Sequence, residues 1–514
     1  MKNNFVWEKN FLNKKAETKI YQENSNKYTA RTRIEILLDQ NSFQEIDQLV
    51  SSPFIENAHQ NDGVITGFGT INNQKVAVYS QDFNLKGGSV GKFHAQKICK
   101  IMDLAVKIGC PIIGIIDSGG ARIQEGIHSL AGYGEIFLRN VQISGIVPQI
   151  SIILGPCAGG ATYSPALTDF IVTVEKVSNL FVTGPNVIQQ ALHQTISKEE
   201  LGGALVHNQI SGLCHIMAQS EDECFERVKQ LLSYLPNNYR SQTNINLNED
   251  IFNNTNFNNK IDNIDLEKIV PQNSNLAYNI KDVINNIFDT NSFFEIQELF
   301  APNIVIGFAK LDNIVTGVVA NQPQINAGSI DINASCKAAK FINFCNSFSI
   351  PIISLVDVPG FMPGIEQEHN GIIRHGAKLI YAYANATVPK ITVILRKAYG
   401  GSYIVMGSKH LGADFNFAWP NTQIAVLGAK SAIAILHGKK LNEVCDEKEK
   451  ELLQKNLEDE YEKEFLNPDI AAKFGYIDAV IEPNQTRDCL VKALKISLNK
   501  VERHLPKKSG NMPL

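Results

Sequence analysis

Two stretches of this sequence place paired glycines where a strand runs into a helix. The first is Gly155-Pro-Cys-Ala-Gly159-Gly160-Ala161, after the apolar run 149–154. The second is Arg396-Lys-Ala-Tyr-Gly400-Gly401-Ser402-Tyr403, after the run 390–395. Adjacent glycines let a ligand come close to the backbone, and the first N–H groups of a helix have no partner within it. Two such donors suit one kind of chemistry, holding the charge that develops on a carbonyl oxygen. A further corner, Asp117-Ser-Gly119-Gly120-Ala-Arg122, has its counterpart in Asp357-Val-Pro359-Gly360-Phe361. One glycine pair alone reads as a tight turn. Two matched corners predict two oxyanion sites, one in each half of the chain.

Other motifs give less. Gly87-Gly88-Ser89-Val90-Gly91 fits G-x-S-x-G between a strand and a helix. Its later counterpart, Ala327-Gly328-Ser329-Ile330-Asp331, lacks the last glycine, and no His or Asp stands out as a partner for Ser89. That argues against a serine nucleophile; labelling of Ser89 by a fluorophosphonate would restore it. No G-x-x-x-x-G-K-[ST] occurs, so ATP chemistry is not expected in this chain. His94, His207, His215, His375 and His410 are scattered without metal spacing and read as structural. The nine cysteines include no C-x-x-C pair, which disfavours a zinc ribbon and a thioredoxin-like centre. Cys99, Cys110, Cys157 and Cys345 read as small buried hydrophobes in a reducing cytosol.

The elements that must position these corners come in two copies. Asp39-Gln-Asn-Ser-Phe43-Gln-Glu-Ile46 reappears as Asp289-Thr-Asn-Ser-Phe293-Phe-Glu-Ile296, and Val64-Ile-Thr-Gly67-Phe as Ile304-Val-Ile-Gly307-Phe. Gly88-Ser89 answers to Gly328-Ser329, residues 110–117 to 350–357, and Gly159-Gly160 to Gly400-Gly401. The offset holds at 240 or 241 residues from Gly67 onward. Short β-branched runs (76–79, 112–116) read as buried strands, and residues 94–108 and 334–344 as helices. Such alternation predicts β–α units with largely parallel sheets. Between the copies, 11 of the 27 residues from 237 to 263 are Asn, read as a loop-rich linker. Residues 446–465 read as a charge-rich helix with a solvated face. The expected domains are 10–262 and 263–505.

Composition bounds the rest. The chain has 514 residues, 44% hydrophobic and 19% charged, with a net charge of -4. That is enough apolar mass for two or three packed domains, and it excludes a wholly disordered chain. No basic surplus favours nucleic acid or an anionic membrane. No apolar run is long enough to span a bilayer. The opening residues carry neither a secretory apolar core nor the arginines of a mitochondrial leader, so a cytoplasmic setting is expected.

Taken together, the corners and flanking segments resemble the carboxyltransferase (β) subunits of biotin-dependent acyl-CoA carboxylases, in the branch containing the propionyl-CoA carboxylase β chain. The resemblance runs from about Thr29 to Leu514. It rests on Asp117-Ser-Gly-Gly-Ala-Arg-Ile-Gln-Glu-Gly126, residues 155–170, Glu200-Leu-Gly-Gly-Ala204, Gly371-Ile-Ile-Arg-His-Gly-Ala-Lys378, residues 396–401 and Ala418-Trp-Pro420. It implies two tandem crotonase-like α/β domains, a homo-hexamer, and active sites between the N half of one subunit and the C half of another. It also implies a biotinylated partner, a biotin carboxylase/biotin carboxyl carrier subunit, since this chain has no M-K-M biotin-attachment site. By the same resemblance Gly159 and Gly160 hold the acyl-CoA carbonyl and Gly401 and Ser402 the biotin oxygen. Gly119, Gly120, Ala161 and Gly400 line the substrate site. Arg122, Arg374 and Lys378 are read as structural ion-pair residues. Ile404 stands where propionyl-preferring members carry Asp in the acyl pocket, which widens the expected substrate to acetyl- as well as propionyl-CoA. The sodium-pumping acyl-CoA decarboxylases use a similar chain in reverse and remain the alternative, although Ser408-Lys-His-Leu-Gly-Ala-Asp414 looks more like the carboxylases. A non-catalytic scaffold of the same fold would need neither glycine corner.

Overall fold

The repeated Asp39 and Asp289 motifs are hairpin clamps. β1 (Gln44–Ile46) pairs with β2 (Val64–Ile71), which turns back into β3 (Gln74–Gln81) through Asn72 and Asn73, both at positive φ. That left-handed pair is the tight turn antiparallel strands favour, and Asn tolerates it. The Asp39 carboxylate accepts from both turn N–H groups, at 3.0 Å each. In the second copy Asp289 does the same for Asp312 and Asn313.

The computed structural model describes residues 27–53, 60–241, 266–503, 505–506 and 508–513. The chain forms two units, Met1–Tyr239 and Arg240–Leu514. The expected domain boundary at 262/263, the start at residue 10 and the asparagine-rich stretch beyond residue 241 lie outside the described residues.

The first unit continues with α1 (Lys92–Ile108), β4 (Ile112–Ser118), α2 (Ile127–Ile143), β5 (Gln149–Ala158) and α3 (Tyr163–Ala166), then β6 (Phe170–Val174), β7 (Asn179–Phe181) and β8 (Ile216–Ala218). Its sheet runs β1-β2-β3-β4-β5-β6-β8, with β7 also beside β5. The first three strands are antiparallel and the rest parallel, so the sheet is largely parallel, as expected, with an antiparallel edge. The second unit repeats this order. β9 (Phe294–Ile296), β10 (Ile304–Leu311), β11 (Ile314–Asn321), β12 (Ile352–Val358), β13 (Lys390–Tyr399), β14 (Phe415–Ala418) and β16 (Ala479–Val480) follow one another across its sheet, with β15 (Gln423–Ala425) beside β13. Its corresponding helices are α4 (Ile332–Ser347), α5 (Ile372–Asn385) and α6 (Gly400–Val405); the charge-rich α7 (Glu447–Phe465) buries none of its residues.

Each sheet packs its parallel strands into its own apolar core. Ile113, Ile152 and Ile153 in the first unit, and Ile353, Leu355 and Val393 in the second, are fully buried. Burial of each such side chain contributes about 1.5–3 kcal/mol. Both central strands run four residues past the expected ends, to Ala158 and Tyr399. The reason is β7 and β15, three-residue strands that pair with 156–158 and 397–399. The corners therefore begin at Gly159 and Gly400, at the very ends of paired strands. Among the described residues no helix is long and apolar enough to cross a membrane.

Candidate active site

The turn at each strand end depends on a left-handed glycine. Gly159 has φ 59° and Gly400 has φ 55°, a region that penalises any side chain. From Gly159 the chain enters a 3-10 turn over Gly159–Thr162, and from Gly400 it enters α6 directly. A 3-10 turn leaves the N–H groups of its first two residues unpaired, and an α-turn those of its first three. Within their own turns, Gly159 and Gly160 at corner one and Gly400, Gly401 and Ser402 at corner two have no acceptor. Ser402 is fully buried, and its hydroxyl donates to the Tyr399 carbonyl at 2.6 Å, which leaves its N–H as the group on offer. Ala161 is buried, and its carbonyl accepts from Cys157 Sγ. Ile404 is half-buried on α6.

The Gly119–Arg122 corner lies along the 87–90 loop. Gly119 N–H donates to Gly87, Val90 N–H to Gly120 and Arg122 N–H to Val90, at 2.8–2.9 Å. Between those bonds the Ala121 N–H points the other way and has no acceptor among the described residues. Gly120, at φ 106°, lies so close to Ala158 that a Cβ there would sit 2.9 Å from its carbonyl oxygen. The second unit repeats the pattern. Ile330 N–H donates to Gly360, Met362 N–H to Ile330, and the Phe361 N–H between them is free. The Phe361 ring stands 3.9 Å from the place a Gly401 Cβ would take, and also packs on Gly376. Each unit therefore brings a donor from a second loop beside its glycine corner. Sequence reasoning missed Ala121 and Phe361, because a free N–H on a non-glycine residue leaves no mark in residue type.

Charge is buried behind the corners rather than in them. Asp117, at the end of β4, binds Arg33 at 2.9 Å, and Arg33 also bonds Glu221 and the Leu154 carbonyl. Burial pushes the Asp117 carboxyl up from its ordinary pKa, against the pull of Arg33. Asp357, its counterpart, binds Arg396 at 3.0 Å. Arg396 occupies in β13 the place of Gly155 in β5, where a Cβ would overlap the Asp117 carboxylate. Arg122 is 2% exposed and bonds the Asp62 and Glu125 carboxylates at 2.7 and 2.9 Å, and the Ser89 carbonyl at 2.9 Å. The ion-pair expectation holds for Arg122. Arg374 and Lys378 depart from it: among the described residues neither meets a carboxylate; Arg374 lies 3.3 Å from His375 Nε2, and Lys378 donates to Cys336 Sγ, which in turn lies 3.1 Å from His375 Nδ1.

Nothing near the corners is placed to act as a nucleophile. The Ser89 hydroxyl donates to Lys86 carbonyl at 2.7 Å. His94 is buried between the Gln81 amide and the Asp62 carbonyl. Burial holds its pKa down to about 3, helped by Arg122, so it stays neutral. Burial also pushes the Cys157 thiol far up, and it remains protonated beneath corner one. Among the described residues no group of three His, Cys, Asp or Glu side chains is placed to hold a metal ion. The site can stabilise a developing oxyanion at either corner without any side chain changing its protonation.

Comparison with known proteins places this geometry. The carboxyl transferase domain model matches residues 21–512. The propionyl-CoA carboxylase beta chain of Saccharopolyspora erythraea is 50% identical over 500 residues, 96% of this chain and 92% of that one. The methylmalonyl-CoA decarboxylase subunit alpha of Veillonella parvula is 47% identical over 498 residues, covering 96% and 94% of the two chains. The solved transcarboxylase 12S hexamer, with methylmalonyl-coenzyme A and methylmalonic acid bound, superposes with a TM-score of 0.89 at 45% identity, covering 96% of this chain and 94% of that one. The two units are tandem crotonase-like domains, and the chain belongs to the carboxyl transferase domain family.

Proposed function

We propose that this chain is the carboxyltransferase subunit of a biotin-dependent acyl-CoA carboxylase, acting on a short acyl-CoA such as propionyl- or acetyl-CoA. The observation that carries this is the pair of matched N–H corners, one per unit. Carboxyl transfer to the α-carbon of a thioester needs charge stabilised on two carbonyl-type oxygens, and preorganised N–H donors supply that without reorganising. In this reading Gly159 and Gly160, helped by Ala121, receive the thioester oxygen as the α-carbon gains enolate character. Gly119, Gly120 and Ala161 shape that corner. Gly401 and Ser402, with Gly400 and the Phe361 N–H, receive the ureido oxygen of biotin.

Carboxybiotin, carried on a biotin carboxylase/biotin carboxyl carrier subunit, supplies the carboxyl group when it is bound. The donors of corner two lie beside the Phe361 ring, an apolar neighbour suited to an oxygen-bearing ring of that kind. A homo-hexamer is part of the proposal, supported by the hexameric transcarboxylase 12S core. So is a cytoplasmic setting, in keeping with nine cysteines that form no disulfide among the described residues. The same corners serve the reverse reaction, and the similarity to a methylmalonyl-CoA decarboxylase subunit makes the physiological direction a matter for the partner subunits.

The test is a carboxylation assay of the chain with its biotinylated partner, offered acetyl-, propionyl- and butyryl-CoA in turn. ATP-driven activity is expected only when the partner is present. Carboxylation by the isolated, biotin-free chain would overturn the proposal, and co-purification with membrane subunits would turn it toward decarboxylation.

A further inference from the structure

Tyr163 opens α3, three residues after Gly160, and is 50% exposed. A large aromatic ring left open beside a pair of free N–H donors calls for a physical reason. Helical side chains lean toward the helix N-terminus, so the residue three positions on covers the turn before it. By that lean the Tyr163 side chain is directed back toward the turn at Gly159 and Gly160. The ring is also propped. It meets Phe137 edge-on with centroids 6.2 Å apart, and Phe137 in turn tilts on Tyr133 at 5.7 Å. Tyr133 is buried, and its ring lies 3.4–3.6 Å from where a Gly160 Cβ would be. The three rings thus form one connected row that begins at Gly160 and ends at the half-exposed Tyr163.

The internal duplication gives a second, independent pointer. The 241-residue offset that relates Gly159 to Gly400 relates Tyr163 to Ile404. One unit sets an aromatic ring and the other a branched aliphatic side chain at the same step beyond the turn.

We propose that Tyr163 is a specificity residue whose ring forms an apolar wall against the acyl group of the acyl-CoA. This rests on the reading that corner one holds the thioester oxygen. Given that reading, the atoms within two bonds of the held oxygen are the thioester sulfur and the α-carbon. The distant nucleotide is thereby out of reach, and chain-length ratios read whether the ring meets the acyl chain or the pantetheine arm that continues from the sulfur.

The experiment compares the wild-type chain with Tyr163→Phe, Tyr163→Leu and Tyr163→Ala, each assembled with the biotinylated partner. Specificity constants are measured for acetyl-, propionyl- and butyryl-CoA. Tyr163→Phe keeps the ring and should keep the chain-length ratios. Tyr163→Ala removes the wall and should raise butyryl- over acetyl-CoA by about tenfold, the scale of one methylene contact, with the KM for the biotinylated partner unchanged. Tyr163→Leu, which retains apolar bulk at a half-exposed site, gives the reading if the alanine variant fails to fold, and should shift the ratios less. Unchanged ratios in the folded alanine or leucine variant would overturn the role of Tyr163. Calorimetry of wild-type chain with propionyl-CoA separates the two layers: no binding there sinks the acyl-CoA reading of corner one, whereas normal binding with unchanged ratios sinks only the wall.

Discussion

Replacing Gly160 by proline and by alanine separates the donor from the space around it. Gly160 lacks the positive φ of its neighbour Gly159 and sits in a 3-10 turn, whose φ a proline ring can match. A Cβ at 160 would meet the Tyr133 ring at 3.4–3.6 Å, ordinary contact, so alanine does not have to push the core apart and serves as the control for proline. Alanine keeps the N–H and stiffens the turn slightly. Proline deletes the N–H and nothing else that the turn needs, because the first-turn donors have no helical partner. Loss of one oxyanion donor costs about 2.7–4 kcal/mol of transition-state stabilisation, or roughly 100- to 1,000-fold in kcat. The assay is single-turnover carboxyl transfer from the carboxylated partner to propionyl-CoA, with light scattering to confirm that assembly is intact. The expected order is wild type close to Gly160→Ala, with Gly160→Pro slower by that factor. A proline variant within about tenfold of the alanine variant would remove corner one from the mechanism.

Further outcomes follow from other features. Ile404→Asp should change the ratio of specificity constants for acetyl- and propionyl-CoA, on the scale of about 1–3 kcal/mol per methylene, while exchange with the biotinylated partner stays near wild type; an unmoved ratio would show that Ile404 does not line the acyl pocket. Arg122→Met leaves Asp62 and Glu125 buried without their cation, and should lower stability to urea by about 3–5 kcal/mol; a loss under about 1 kcal/mol would mean that the carboxylates are satisfied elsewhere. His94 is held from 6.5 down to about 3 in the folded chain, so on acidification the unfolded chain takes up the proton first. Its contribution is nil above about pH 6.5 and turns against folding between there and about pH 3, by up to ~1.4 kcal/mol per pH unit. His94→Gln should flatten that part of the stability profile, and an identical acid limb would refute the assignment.

Much of this was legible in residue identity. The duplication, the strand–helix alternation and the glycine pairs all survive in the structure, because a left-handed turn and a buried strand restrict which residues serve. What escaped was set by neighbours far along the chain. The four extra residues of β5 and β13 are paired by strands of three residues, too short to carry a period of their own. Arg33 reaches Asp117 and Glu221 across 84 and 188 positions, and no local pattern announces such a bond. Ala121 and Phe361 offer only their backbone. That neither Arg374 nor Lys378 meets a carboxylate among the described residues is likewise a matter of packing, which a mixed-charge sequence does not reveal.

The two copies share a shape but are wired differently, and that sets how each would respond to trimming. Asp117 draws its counter-charge from Arg33, on the segment Ala30–Leu37 that precedes the first sheet. Asp357 draws its own from Arg396, inside the central strand of the second sheet. A protease cut after Leu38 that released this segment would leave Asp117 and Glu221 facing each other without a cation. The second unit would keep its charge balance through the same event. Vulnerability is thus unequally divided: one half takes its key from the helix Ala30–Leu37, while the other half carries its lock closed within the sheet.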